Sequence, residues 1–228
     1  MASLLKNIQY TVIKYAQVLS QVLKVDVEIM DDQLIRIAGT GELEDQVSQS
    51  MENESRVYKQ VLKTGLPKVV YEPTQEEICL TCPAREHCRE VLEISIPIPL
   101  KNKTIGVIGL VCFTTEQKEH LLANEQTYMK FVAQIADFMS SKAYEEEQNK
   151  NMQTMLNMLY LISDHVNDAV IVIGEKQQII HMNKKGREIF GLEDWKGQSL
   201  TLKETGDCLL DGKEYRATLN DAEYILAG

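Results

Sequence analysis

The stretch ISIPIPLKNKTIGVIGLVCF, residues 94–113, decides the fold of the first part of this chain. Two apolar runs flank the short polar turn Lys101-Asn102-Lys103, which is the pattern of a β-hairpin. Pro97 and Pro99 lack a backbone N–H, so they place part of the first strand at a sheet edge or a bulge. The hairpin predicted here is the second of three in the chain.

The residues before this hairpin predict two helices and two more strand segments. Apolar side chains recur at steps of three and four over residues 4–23, which predicts an amphipathic helix. Residues 25–29 and 34–37 alternate apolar with polar around a polar turn and predict a first hairpin. A polar helix is expected over residues 42–63, followed by a short strand at residues 68–71.

A long helical pattern follows the hairpin, from Thr115 as N-cap to about Val166. Its first part has a wide apolar face suited to packing on a sheet. Its last part has a narrower seam at Met152, Met155, Leu159, Ile162 and Val166. The polar residues 144–150 between them predict a solvated linker that leads into a short coiled coil. Two separate helices, each packed on its own domain, are the alternative.

The last part of the chain predicts a third hairpin, residues 169–173 with residues 179–183, and a helix that ends at Gly191. Beyond a loop that contains Trp195, residues 213–219 and 223–227 predict two strands. This hairpin, with Asn183 at its end and a helix after it, resembles the opening of a PAS domain. The resemblance covers about sixty residues and lacks the family's final strand, so we expect an excerpt of a longer protein.

The first 140 residues resemble a GAF domain, with helix, strand pair, helix, irregular insert, strand pair and closing helix in the family's order. The whole resembles the GAF–PAS sensory region of sigma-54-dependent transcriptional activators of anaerobic bacteria. The expected fold class is α+β: a GAF-like antiparallel-sheet domain with a cysteine-rich insert (residues 1–143), a connecting helix or coiled coil (144–160) and an incomplete PAS-like domain (161–228).

Four of the five cysteines form a candidate metal site. Cys79, Cys82 and Cys88 have the spacing C-x2-C-x5-C, and Cys112 follows on the second strand of the hairpin. Four thiolates suit tetrahedral zinc or an iron–sulfur cluster, because soft sulfur ligands select these metals. Cys208 lies far away in the sequence and is expected to take no part.

Three clustered cysteines with one remote cysteine favour a 4Fe-4S cluster over zinc, and the spacing also resembles that of WhiB-like iron–sulfur regulators. His87 is a candidate replacement for one thiolate, or else a solvated side chain. The alternative for the whole set is that Cys112, on the strand face of Ile108 and Leu110, is a small buried hydrophobe and the other three are free thiols.

Composition excludes several classes of function. The formal charge of −10 opposes contact with a phosphate backbone, so direct nucleic-acid binding is not expected. The sequence has neither a signal peptide nor a stretch that could span a membrane, so a cytoplasmic protein is expected. Since the catalytic motifs H-E-x-x-H, G-x-S-x-G and G-x-G-x-x-G do not occur, no enzyme activity is expected.

The sequence therefore predicts a signal-sensing input region that dimerises through the helical linker. The signal expected is redox state, iron or a gas, received at the four-cysteine iron–sulfur centre. The resemblance implies that AAA+ and DNA-binding output domains follow. Two alternatives stay open: a metabolite-binding GAF/PAS module with a structural zinc, and the input region of a histidine kinase or diguanylate cyclase.

Overall fold

The computed structural model describes residues 3–52, 55–191, 195–209, 212–219 and 222–227. Contacts divide the chain into two compact units, Met1–Lys150 and Asn151–Gly228. The division lies inside the expected linker, residues 144–160. Among the residues described, no helix is long and apolar enough to cross a membrane.

The described residues contain seven α-helices and ten β-strands. The helices are α1 (Leu4–Asn7), α2 (Gln9–Leu23), α3 (Arg56–Thr64), α4 (Glu77–Leu80), α5 (Thr115–Leu122), α6 (Glu125–Asp164) and α7 (Lys184–Phe190). The strands are β1 (Asp26–Asp31), β2 (Arg36–Gly39), β3 (Lys68–Val70), β4 (Leu92–Leu100), β5 (Lys103–Cys112), β6 (Ile171–Ile173), β7 (Ile179–Met182), β8 (Thr201–Leu209), β9 (Gly212–Leu219) and β10 (Ala222–Ala227). The expected α+β class is confirmed.

The first unit is built on an antiparallel sheet with the strand order β2-β1-β5-β4-β3. Side chains alternate between the two faces of each strand, so each face has its own surroundings. One face packs its Ile, Val and Leu side chains against apolar residues of α1, α2 and α6, which form the main core. The other face carries the charged and polar residues and is covered in part by α3.

The prediction of one polar helix over residues 42–63 is wrong for the residues before Arg56. Gly41–Gln46 is a 3₁₀ turn, and α3 begins only at Arg56. Residues 48–51 lie beside the edge strand β2 instead: Arg36 N donates to Gln49 O, and Ser48 N donates to Arg36 O. The free hydrogen-bonding groups of an edge strand outcompete helix formation here, because a polar sequence has no apolar face to bury as a helix.

The long helix is interrupted once and capped one residue earlier than expected. The N-cap of α5 is Thr114, whose hydroxyl accepts from Gln117 N, while the Gln117 side chain reaches back to the Thr114 backbone. This reciprocal capping box fixes the start of the helix and displaces Thr115 from the expected role. After a break at residues 123–124, α6 runs without interruption for 40 residues.

The second unit contains the expected hairpin, β6 with β7, then α7 and a three-stranded sheet of order β10-β9-β8. Strand β8 was not predicted from the sequence, because Leu202 is the one large apolar side chain among residues 201–206 and four of these six residues are exposed. Asn183 is fully buried and joins three segments. Its Oδ1 accepts from Val170 N and Gly186 N, and its Nδ2 donates to Ser163 O and Asp168 O.

Candidate functional site: a polar cavity beside the cysteine insert

A cavity of about 470 Å³ lies on the polar face of the first unit's sheet. Strands β1, β2 and β4, helix α3 and the insert between β3 and β4 line it. Five of the lining side chains are polar and at least nine-tenths buried. They are Glu28, Arg36, Ser55, Tyr58 and Glu93. Buried polar groups of this kind are costly unless they are hydrogen-bonded, so their partners define the site.

Glu28 is the anchor of the cavity wall. Arg36 Nε donates to Glu28 Oε2 over 2.6 Å, and the Tyr58 hydroxyl donates to Glu28 Oε1 over 2.5 Å. Gly109 of β5 makes room for this arrangement, since a Cβ at that position would collide with the Tyr58 hydroxyl. Both oxygens of Glu28 are therefore engaged, and three elements meet at one carboxylate.

The remaining donors of Arg36 point towards Gln46, the last residue of the 3₁₀ turn, and towards Met51 in the segment that follows it. Its Nη1 lies 3.2 Å from Gln46 O and 3.0 Å from Gln46 Oε1. Its Nη2 lies 2.7 Å from Met51 Sδ. A thioether sulfur is only a weak acceptor, so one end of this buried guanidinium is poorly satisfied.

Two further carboxyl groups face the same cavity. Burial raises the pKa of Glu93 well above 4.5, and the neighbouring Glu90 raises it further, although Ser95 Oγ donates a hydrogen bond to it over 2.5 Å. Burial, followed by repulsion from Glu28, raises the pKa of Glu90 to about 7, while Arg36 opposes the shift. With a pKa of about 7, Glu90 is partly protonated near neutral pH, and burial favours the neutral form of Glu93 as well.

Three of the four predicted metal ligands, Cys79, Cys82 and Cys88, line this cavity and are partly exposed. Burial raises the pKa of the Cys79 thiol. Burial and the nearby Glu90 raise that of Cys88 to about 11. His87, the candidate replacement ligand, also lines the cavity. The structure therefore brings the whole C-x2-C-x5-C segment to one place.

The fourth predicted ligand, Cys112, lies elsewhere. It pairs with Leu92 across the sheet, and both side chains are fully buried in the core on the opposite face. Burial, followed by the charge of Asp26, raises the pKa of its thiol to about 12, and Lys118 opposes the shift. The charged groups that shift the pKa of Cys112 are Asp26 and Lys118, and neither belongs to the insert. Cys208 lies in β8, and its side chain is outside the described part of the chain.

The four cysteines therefore do not fit a shared metal centre in this conformation. In the described ranges, no three His, Cys, Asp or Glu side chains are close enough together to hold a metal ion. The physical reason is strand parity: Cys112 shares the core face of Ile108 and Leu110, whereas the insert lies over the other face. An iron–sulfur or zinc centre stays a prediction.

The buried residues of the cavity wall were missed by sequence reasoning. Glu28 and Arg36 each stand between apolar residues of a short strand, and Glu93 precedes an apolar run. A charged residue at the polar phase of an alternating strand normally faces solvent, so the pattern alone does not reveal the site. The signal is visible only when α3 and the insert are seen to cover that face.

The order of elements and this cavity define a class: a GAF-like sensory domain joined by helix α6 to a second sheet domain. Residues 157–223 match the family described as PAS domain. Across 96% of this chain and 81% of the solved chain, the fold is similar to the Escherichia coli DhaR(N)–DhaL complex structure, with a TM-score of 0.52 and 13% identity. A GAF domain of A. aeolicus nlh2 aligns over 60% of this chain and 84% of its own length, with 13% identity and a TM-score of 0.44.

A curated relative extends the resemblance to the sequence level. The chain is 30% identical over 195 residues to UacR of Escherichia coli K12, a sigma-54-dependent transcriptional regulator that its name links provisionally to uric acid. The match covers 83% of this chain but 32% of UacR, so the chain spans about a third of that relative's length. The expected resemblance to the GAF–PAS sensory region of sigma-54-dependent regulators is confirmed.

Replacing Glu93 by Gln should remove part of the pH dependence of stability. The pKa of Glu93 is higher in the folded chain than its ordinary 4.5, so its contribution to stability is full below that value and is lost as pH rises through the folded-state pKa. Urea unfolding from about pH 5 to about pH 9 should show a smaller loss for Glu93→Gln than for the original chain. Glu119→Gln, on the exposed surface of α5, is the control. Equal pH profiles for all three proteins would contradict the prediction.

Proposed function

We propose that this chain is the signal-receiving region of a sigma-54-dependent transcriptional regulator, and that it receives a small molecule in the polar cavity. The observation that carries the proposal is the cluster of five polar side chains, each at least nine-tenths buried, around a space of about 470 Å³. Such groups reduce stability relative to an apolar core, so their concentration at one cavity favours binding over packing.

The resemblance to UacR supports the rest of the proposal. We propose that AAA+ and DNA-binding output domains follow this region. We also propose that the regulator acts in the cytoplasm and that this segment does not contact nucleic acid directly. The region works by binding rather than by catalysis. Uric acid is the first probe to use, since it is the compound in the relative's name.

A bound small molecule should raise the melting temperature of the 228-residue chain. At a concentration of about 100 times the dissociation constant, binding stabilises the folded state by about 2.7 kcal/mol, roughly 5 to 10 °C for a chain of this size. Uric acid and a panel of metabolites should be screened by thermal shift. Ala84→Trp, which fills the cavity, should abolish the shift.

Ala123→Trp is the matched control, because Ala123 is exposed at the end of α5 and should leave the shift unchanged. A ligand that stabilises both variants equally binds outside the cavity. No stabilisation by any compound would overturn the small-molecule proposal.

We also propose that the cysteine insert binds a metal, as an iron–sulfur cluster that senses redox state, iron or a gas, or as zinc. What supports this is the presence of Cys79, Cys82 and Cys88 on one cavity wall. Because Cys112 lies in the core on the other face, holding all four ligands together requires the insert or β5 to move. The three insert cysteines are therefore the ligands that we propose as essential. The insert must also rearrange to bring their thiols together, because no three described His, Cys, Asp or Glu side chains are close enough to hold a metal ion.

Metal analysis of variants separates the two ligand sets. Iron, zinc and acid-labile sulfide should be measured on protein purified without oxygen. Cys82→Ser should lose the metal, whereas Cys112→Ser should keep it, because serine substitutes a buried thiol without touching the insert. Loss of metal from both variants would restore the four-cysteine centre. A metal-free original chain would refute metal binding.

The chain is further proposed to dimerise through the last part of α6. Met152, Met155, Leu159 and Ile162 follow the alternating three-and-four spacing of a coiled-coil seam, and each is at least half exposed in the single chain. Val166, the fifth expected member, lies beyond the end of the helix. A second copy of the same seam is the partner that this spacing fits.

Ile162→Glu should convert the dimer to a monomer, because it places a charge in the seam. Leu161→Glu is a close control: its side chain is 63% exposed against 64% for Ile162, but it lies outside the seam. Light scattering coupled to size exclusion measures both. A monomeric original chain, or equal effects of the two substitutions, would disprove this interface.

A further inference from the structure

We infer that the ligand of the polar cavity is a cyclic amide or urea, whose carbonyl oxygen accepts a hydrogen bond from Nη2 of Arg36. This inference rests on the proposed function, since it specifies what the cavity receives. It is carried by one donor that the protein itself satisfies poorly and by the carboxyl groups around it.

The guanidinium of Arg36 is 2% exposed and fixed on two sides, by Glu28 at Nε and by Gln46 at Nη1. Only Nη2 faces a weak acceptor, Met51 Sδ. Hydrogen bonds to charged groups are among the stronger ones in proteins, and a buried charged donor without a good acceptor is unfavourable. A ligand oxygen that displaces the Met51 side chain would supply the missing acceptor.

The charges around Arg36 favour an uncharged carbonyl oxygen over an anionic oxygen as the ligand's acceptor. Arg36 is already neutralised by Glu28, and Glu90 and Glu93 add two more carboxyl groups close to the same wall. The other lining arginines, Arg56, Arg85 and Arg89, are exposed to solvent. Arg85 donates to Thr74 O, and Arg89 pairs with Glu42. A phosphate or carboxylate at Nη2 would therefore add a second negative charge beside the buried Glu28 carboxylate, whereas an uncharged carbonyl would not be repelled.

The same carboxyl groups specify the ligand's second feature. A carboxyl group has an oxygen that accepts hydrogen bonds whether it is ionised or protonated, and such an acceptor near the Arg36 donor is complementary to an N–H next to a C=O. Adjacent N–H and C=O groups are the pattern of cyclic amides and ureas. A cavity of about 470 Å³ has room for one or two rings.

The experiment replaces Met51 by a residue whose side chain can accept the hydrogen bond from Arg36 Nη2. In Met51→Gln the side-chain carbonyl can reach Nη2, so the ligand-free variant should melt at least about 2 °C higher than Met51→Leu, the control of similar size without an acceptor. Xanthine, a cyclic imide and urea, serves as the probe, and adenine serves as a probe of the same ring system without a carbonyl. Inorganic phosphate is the anionic probe.

Xanthine should stabilise the original chain and Met51→Leu, and its affinity for Met51→Gln should fall about tenfold or more, because the site is already filled. Adenine and phosphate should not bind. Equal melting temperatures for the two Met51 variants would overturn the inference whatever the ligand. Binding of adenine or phosphate as tight as that of xanthine would overturn it while the proposed function stands, and absence of binding by every compound tested would remove the proposed function instead.

Discussion

The structure of the first unit depends on one buried ion pair, Arg36 with Glu28. A charge inside a protein is tolerated only with a partner, and removing either member leaves the other uncompensated at a cost of about 3 to 5 kcal/mol. This pair connects β1 with the edge strand β2, and the Tyr58 hydroxyl connects it to α3. The missing side chain at Gly109 is part of the same arrangement, since any Cβ there would meet the Tyr58 hydroxyl. The cavity wall on the polar face of the sheet is thus organised around one carboxylate, beside the small apolar cluster that Met30, Leu34 and Val107 form with α3.

Strand alternation explains why two sets of cysteines have different surroundings. Leu92 and Cys112 are cross-strand neighbours and share the core face, while Glu93, one residue further on, faces the cavity. A shift of one residue in register would exchange these environments. The apolar core against α2 and α6 prevents such a shift, because it would expose the Ile and Leu side chains of β4. The position of Cys112 is therefore as firmly determined as the core itself.

Hydrophobic periodicity was sufficient to predict the three hairpins, the helical segments and the α+β class. The same alternation predicts a core position for Cys112, because Cys112 lies on the strand face of Ile108 and Leu110. The prediction of a metal centre with four thiolates nevertheless placed Cys112 beside the insert. Hydrophobic periodicity failed where tertiary contacts decide. Residues 48–51 pair with an edge strand instead of forming a helix, and residues 201–206 of β8 have a single large apolar side chain, Leu202, which is too weak a pattern to predict a strand. The Glu28–Arg36–Tyr58 cluster could not be predicted either, because it joins three elements whose proximity follows from sheet order and from the position of α3.

The acidic surroundings of the insert also limit how its thiols can respond. Because its pKa is raised to about 11, the Cys88 thiol is almost entirely protonated at pH 7, and the thiolate is the form that oxidants attack. Uncatalysed oxidation of this thiol is therefore slow. A cation bound at the insert would reverse the balance, since it stabilises the thiolate and the neighbouring carboxylates together. Of the two ways in which the cysteines could take part in sensing, ligation is thus favoured over direct oxidation by the same carboxyl groups that define the cavity.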